Sequence, residues 1–172
     1  MIEAPIPADE DDRLHALRQL LILDTPPEER FDRIVMFASQ EFDMPMVLIS
    51  LVDADRQWFK ASVGVNVCET ARGVSFCGHA ILSDETMVVT DATQDQRFFD
   101  NPIVSGESHV RFYAGAPLTL PSGTNVGTLC LLDSSPRDMD ATGLAILSSL
   151  RDLVVEELIS QNTSPVEKKH GI

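Results

Sequence analysis

The sequence is short of basic residues, cysteine and long apolar runs, and each shortage excludes something. Lysine and arginine number 13 against 27 aspartate and glutamate, for a formal net charge of −14. With no local Lys/Arg cluster, such a chain lacks the cationic patch that nucleic acid and anionic lipid require. Three cysteines, an odd number, do not make a disulfide framework and fit a reducing compartment. Unbroken apolar runs stop after a few residues, far below the roughly 20 that span a bilayer. Asp9-Glu10-Asp11-Asp12 stands where a secretory leader would be basic and then apolar. The expectation is a cytoplasmic protein with neither a nucleic-acid nor a membrane partner.

What is present fits one globular domain: 172 residues, 44% of them hydrophobic, enough to bury a core. The expected boundaries are a flexible N-terminus over 1–8, the domain over 9–160 and a disordered polar tail over 161–172.

Leu14, Leu17, Leu20 and Leu21 have helical spacing within 9–23, behind an acidic cluster that suits a helix start. Thr25, Pro26 and Glu28 spell a capping box for a second helix. That helix carries Phe31, Ile34, Val35, Ala38 and Phe42 on one face. Residues 46–53 read as a strand covered on both sides. After the turn Asp53-Ala54-Asp55 the chain returns from Arg56 to Val63 as its antiparallel partner. There, alternation puts Trp58 and Lys60 on one face, and Phe59, Ala61 and Val63 on the other.

Beyond an irregular stretch over 64–76, a short helix is expected over Cys77–Leu82 and a short strand over Thr86–Thr90. Asp91 to Ser108 is a long polar loop, a type that is often functional. Strands follow over 110–120 and 125–132. A last helix over 139–160 shows a stripe of Leu144, Leu147, Leu150, Val154 and Leu158. Helices at both ends with antiparallel strands between them make an α+β sheet layered by helices.

Several segments, in this order, resemble one known family. They are Ile22-Leu23-Asp24-Thr25-Pro26-Pro27-Glu28-Glu29-Arg30-Phe31-Asp32, Ile49-Ser50-Leu51-Val52-Asp53 with Arg56-Gln57-Trp58-Phe59-Lys60, and Ser75-Phe76-Cys77-Gly78-His79-Ala80-Ile81. Asp91-Ala92 with Asp95, Arg97-Phe98 and Asn101-Pro102 continues the pattern. Arg111-Phe112-Tyr113-Ala114-Gly115-Ala116-Pro117-Leu118 and Gly127-Thr128-Leu129-Cys130-Leu131-Leu132-Asp133 complete it. Together they resemble the GAF domains of bacterial sensor kinases and diguanylate cyclases over residues 10–160. The resemblance implies a central antiparallel sheet of five to six strands, terminal helices on one face and a loop-rich pocket on the other. It also implies a homodimer formed through the terminal helices, whose packing shifts when the pocket loops rearrange; the apolar stripe of the last helix equally admits being used entirely by its own sheet.

Trp58, Lys60, Phe76, Cys77, His79, Arg97, Phe98, Arg111 and Tyr113 fall in the segments expected to enclose that pocket. Aromatic walls with a few convergent polar groups suit a small organic ligand. Lys60, Arg97 and Arg111, being cations in an acidic chain, point to an anionic or zwitterionic one; Arg97 has the alternative of pairing with Asp91 or Asp95, and Trp58 of being core. Cys77-Gly78-His79 admits a nucleophile, a redox thiol or a metal site with Cys68 and His109. It equally admits a buried thiol beside a pocket imidazole. Asp53, Asp91 and Asp133, each at a strand end, read as turn caps.

One enzymatic branch that the resemblance brings in is free methionine-R-sulfoxide reductase, whose paired cysteines Cys68 and Cys77 loosely match. Its attacking cysteine belongs in the region that here reads Phe99-Asp100-Asn101-Pro102-Ile103, and none is there. Neither the cyclic-nucleotide signature nor the bilin motif can be placed. The expectation is therefore a non-catalytic module sensing a small molecule or docking a signalling partner, with a thiol-dependent reductase as the alternative. With no effector domain following in this chain, it is expected either to act on another protein or to have lost its output half.

Overall fold

The computed structural model describes residues 1–170, and the side-chain surroundings of residues 1–160. Its centre is a six-stranded antiparallel sheet in the order β3-β2-β1-β6-β5-β4. β1 (Met46–Val52) and β2 (Arg56–Val63) form a hairpin closed by an Asp53 N–H to Arg56 carbonyl bond of 2.8 Å. β6 (Asn125–Asp133) lies between β1 and β5 (Phe112–Thr119), and the short strands β3 (Glu69–Ala71) and β4 (Met87–Val89) form the edges. Every residue of β6 is buried, which explains why its apolar residues do not alternate with polar ones: both faces are covered.

One face carries α1 (Glu10–Gln19), α2 (Glu29–Phe42) and α5 (Ala141–His170). The core here holds Phe31, Ile34, Val35 and Ala38 of α2, and Leu147, Leu150, Val154 and Leu158 of α5. These are the stripes that the spacing marks out, except that Phe42 and Leu144 are only partly buried. The sequence over 161–172, expected to form a tail, lies outside the described side chains, and 171–172 outside the description altogether.

Three local expectations are corrected. The first helix ends at Gln19 rather than reaching residue 23, because Leu21 turns to a left-handed φ of 55° and exposes its side chain while Leu20 and Ile22 stay in the core. The capping box does not form. α2 starts at Glu29 with no side-chain cap, because the Lys60 ammonium takes the oxygens of Thr25 (2.8 Å) and Glu28 (2.7 Å) instead. A charge-assisted bond of this kind outcompetes a backbone N–H.

The third concerns β2. The register opposite β1 shifts at Ile49/Ser50, with Ser50 facing Phe59 and Ile49 facing Ala61. This bulge leaves Lys60 unpaired and moves Ala61 and Val63 to the helix side with Trp58, while Phe59 stays on the other. One extra residue flips every later side chain, because strand alternation has a period of two.

Candidate functional site

The face opposite the helices is covered by residues 1–8, α3 (Phe76–Ala80), a single 3₁₀ turn (Ala92–Gln94) and α4 (Pro102–Ser105). Ser75 starts α3 by accepting the Gly78 N–H at 3.0 Å while donating its hydroxyl to the Arg72 carbonyl at 2.6 Å. Asn101 starts α4 by accepting from Ile103 N–H, and its amide donates to the Val74 carbonyl, both at 2.9 Å. These two small polar side chains tie the segments of the loop layer to one another.

Under this layer the structure brings together five of the expected site residues, Phe76, Cys77, His79, Phe98 and Tyr113. The Phe76 and Phe98 rings stack with centroids 4.0 Å apart, and Tyr113 tilts against Phe76 at 5.2 Å. His79 meets the Phe98 ring edge-on at 4.9 Å. All five are buried. The space beneath α3 is filled by the protein's own aromatic rings.

Trp58 and Lys60 are not part of this cluster. Trp58 packs in the helix-side core. Lys60, with a fully buried side chain, binds Glu28, Thr25 and the Pro26 carbonyl, and lies 5.6 Å from the centre of the Phe31 ring. Arg111 lies at the margin, donating to the carbonyls of Val104 (2.8 Å) and Val110 (3.1 Å). Arg97 clamps Asp95 through Nε (3.0 Å) and Nη2 (2.8 Å) and covers the Phe98 ring at 4.9 Å. The Arg97 hydrogen bond draws the Asp95 carboxyl below its usual range.

His79 and Arg97 also border a surface cleft of about 490 Å³, closed along one side by Ile2 and Pro5. Here the N-terminal segment crosses α3. The Ile2 carbonyl lies 3.1 Å from His79 Nε2, and since a carbonyl only accepts, Nε2 carries the proton. Burial pushes the imidazole below its ordinary pKa.

The polar groups inside the cluster are Cys77, Cys130, Thr128, Ser50 and Tyr113. Cys77 Sγ lies 3.1 Å from Thr128 Oγ1 and 3.8 Å from Cys130 Sγ, and Tyr113 O–H donates to it at 3.3 Å. Ser50 stands opposite Thr128 in the β1–β6 ladder and donates to Gln57 Oε1 at 3.0 Å. Thr128, Cys130 and Ser50 are absent from the sequence-derived site. The i, i+2 spacing of Thr128 and Cys130 does put them on one face, but uniformly apolar neighbours hide which face that is.

Cys68 is exposed, and His109 pairs with Arg111 at 3.1 Å. Among the described residues no three His, Cys, Asp or Glu side chains are placed to hold a metal ion. Asp53, Asp91 and Asp133 each accept a backbone N–H, from Ala54 (2.8 Å), Thr93 (3.0 Å) and Ser135 (3.2 Å), as turn caps do.

A six-stranded antiparallel sheet with terminal helices on one face and a loop-built layer on the other defines a small α+β domain. The chain belongs to the GAF domain family, whose model matches residues 26–158. It is 40% identical over 174 residues to a cyclic di-GMP phosphodiesterase of Pseudomonas aeruginosa, a match covering 100% of this chain and 30% of that protein. The chain thus spans under a third of the length of that curated relative. Among solved structures it is similar to the GAF domain of an Acinetobacter phosphoenolpyruvate-protein phosphotransferase (TM-score 0.63, 18% identity, 88% of this chain and 96% of that one). It is also similar to free methionine-R-sulfoxide reductase from Neisseria meningitidis (TM-score 0.65, 17% identity, 90% of each chain). At these identities the likeness concerns the fold alone. Among the described residues no helix is long and apolar enough to cross a membrane.

Proposed function

We propose that this chain is a non-catalytic GAF module of a cytoplasmic signalling protein, which passes its signal by docking through the face of α2 and α5. The observation that carries this reading is the filled interior. Where a reductase would need a cavity for its sulfoxide substrate against the thiol, Cys77 is 2% exposed and lies among the packed Phe76 and Phe98 rings.

The apolar surface that remains open lies elsewhere. Phe37 of α2 faces Ala145, Ile146, Ser149 and Leu153 of α5 across a groove of about 550 Å³, with Phe37 and Leu153 about half exposed. Aromatic and aliphatic side chains presented along two helices suit a second copy of the same helices. The 40% identity to a cyclic di-GMP phosphodiesterase supports a place in cyclic di-GMP signalling, with any catalysis residing outside this module.

Analytical ultracentrifugation tests the docking. The protein should sediment as a dimer, and Phe37→Glu combined with Leu153→Glu should give a folded monomer. A wild-type monomer at concentrations where GAF modules are studied would sink the proposal. A second reading, sensing of a small anionic or zwitterionic molecule, draws on the cleft where His79 and Arg97 meet. It requires a metabolite that raises the melting temperature and an Arg97→Ala variant that loses the response.

A further inference from the structure

Cys77 and Cys130 are separated by 53 positions, yet their sulfurs lie 3.8 Å apart beneath α3. We propose that these two cysteines form a reversible intramolecular disulfide when the protein meets hydrogen peroxide, so that the packed interior is a site of oxidative modification. This inference does not rest on the docking reading.

The geometry is within reach. A disulfide holds its sulfurs about 2.05 Å apart, so the pair must close by about 1.8 Å, a distance supplied by side-chain rotation with a small shift of α3. Cys130 is held in β6, which is bonded to β1 and β5 on its two sides. Cys77 sits on a helix of five residues, the more movable partner.

The surroundings make the two thiols unequal. Tyr113 O–H and the Thr128 hydroxyl both lie against Cys77 Sγ. Gly115 lets the phenol reach it, since a Cβ there would stand 2.1 Å from the Tyr113 hydroxyl oxygen. Hydrogen bonding, from Cys130 first and then from Thr128 and Tyr113, draws the Cys77 thiol down, while burial holds Cys130 well up. One sulfur is thus suited to attack as thiolate and the other to resolve as thiol.

The step balances as follows. The Cys77 thiolate attacks one peroxide oxygen; the S–O bond forms as the O–O bond breaks, and the leaving hydroxide takes up a proton to become water. The Cys130 sulfur then attacks the Cys77 sulfenic acid. The S–S bond forms, the S–O bond breaks, and the hydroxyl leaves as water with the Cys130 proton. Two thiols lose two electrons and one hydrogen peroxide is reduced to two waters. Thiol–disulfide exchange with a small thiol reverses the change. Because α3 also carries Gly78 against Ala4 and His79 against the Ile2 carbonyl, closing the disulfide pulls on the contacts that hold the N-terminal segment.

The test uses the full chain with exposed Cys68 replaced, Cys68→Ser, treated with hydrogen peroxide under native conditions and followed by intact mass and non-reducing peptide mapping. The expected product has lost two hydrogens, links the Cys77 and Cys130 peptides, and is restored by dithiothreitol. Tyr113→Phe, which keeps the ring, should slow the link several-fold. The proposal is overturned by an unchanged mass in the folded protein, by oxygen addition without a link, by a link that appears only in denaturant, or by a Tyr113→Phe rate equal to the parent's.

Discussion

Glu10 sits between two arginines that are themselves buried, Arg13 and Arg72. Arg13 Nη1 also reaches the Val52 carbonyl at 2.6 Å, and Arg72 the Asp53 carbonyl at 3.0 Å, so this triad ties α1 to the turn after β1. Burial raises the Glu10 pKa, but the hydrogen bonds from Arg72 and Arg13 prevail and hold it at about 2, against an ordinary 4.5. A carboxyl whose folded pKa is depressed stabilises the protein above its unfolded value. That contribution is lost as pH falls from 4.5 through about 2, and the shift corresponds to roughly 3–3.5 kcal/mol at neutral pH. Glu10→Gln should therefore be less stable by about that amount at neutral pH, and should lose less stability on acidification over the same window. Urea melts of both proteins across that range check it; parallel pH profiles would contradict the assignment.

At the scale of elements, the loop layer depends on its caps. Asn101 is buried, caps α4 and donates to the Val74 carbonyl. Asn101→Ala removes the cap and leaves that carbonyl unpaired, costing about 2–3 kcal/mol. Asn101→Asp retains the acceptor and should fall between the two in a chemical denaturation series. Hydrogen exchange should rise first over residues 92–110, because their helical pieces are short and their backbone bonds largely local.

The Asn101-Pro102 pair is a legible helix start, with a capping side chain followed by proline at the first helical position. The residues around it read as a polar loop because a four-residue helix has no apolar period to detect. Thr25, Pro26 and Glu28 show the opposite failure. They match a capping signature, yet their oxygens serve Lys60, whose position depends on a bulge in a different element.

At the scale of the whole molecule, the N-terminal segment acts as a strap across the loop layer. The Met1 ammonium pairs with Asp100, Ile2 N–H bonds the Arg97 carbonyl at 3.4 Å, and Ala4 is buried beside Gly78. Deleting residues 1–8 removes these contacts together. With about 1–2 kcal/mol at stake, the melting temperature should fall by about 2–8 °C. Differential scanning calorimetry decides this, and an unchanged transition would mean that the strap adds nothing. On the opposite side α5 runs over Ala141–His170, and among its described side chains Leu147, Leu150, Val154 and Leu158 face the core.

The sequence by itself determined the α+β class, the order of the longer elements, the hairpin after Asp53 and the buried stripes of α2 and α5. These are local periodicities and turn chemistries, carried by residues close in the chain. β3 (Glu69–Ala71) and α4 (Pro102–Ser105) fall where the sequence reads only as irregular chain and loop. Tertiary structure decided the contents of the presumed pocket. The sheet turned Trp58 and Lys60 to the helix side, away from the pocket, and a bulge brought Ala61 and Val63 there with them. Packing of α3 and its neighbouring loop filled the other side with Phe76 and Phe98, and strand register brought Cys130 to Cys77 across 53 positions. Each of these outcomes depends on register and on how distant side chains share space, which no periodicity along the chain records.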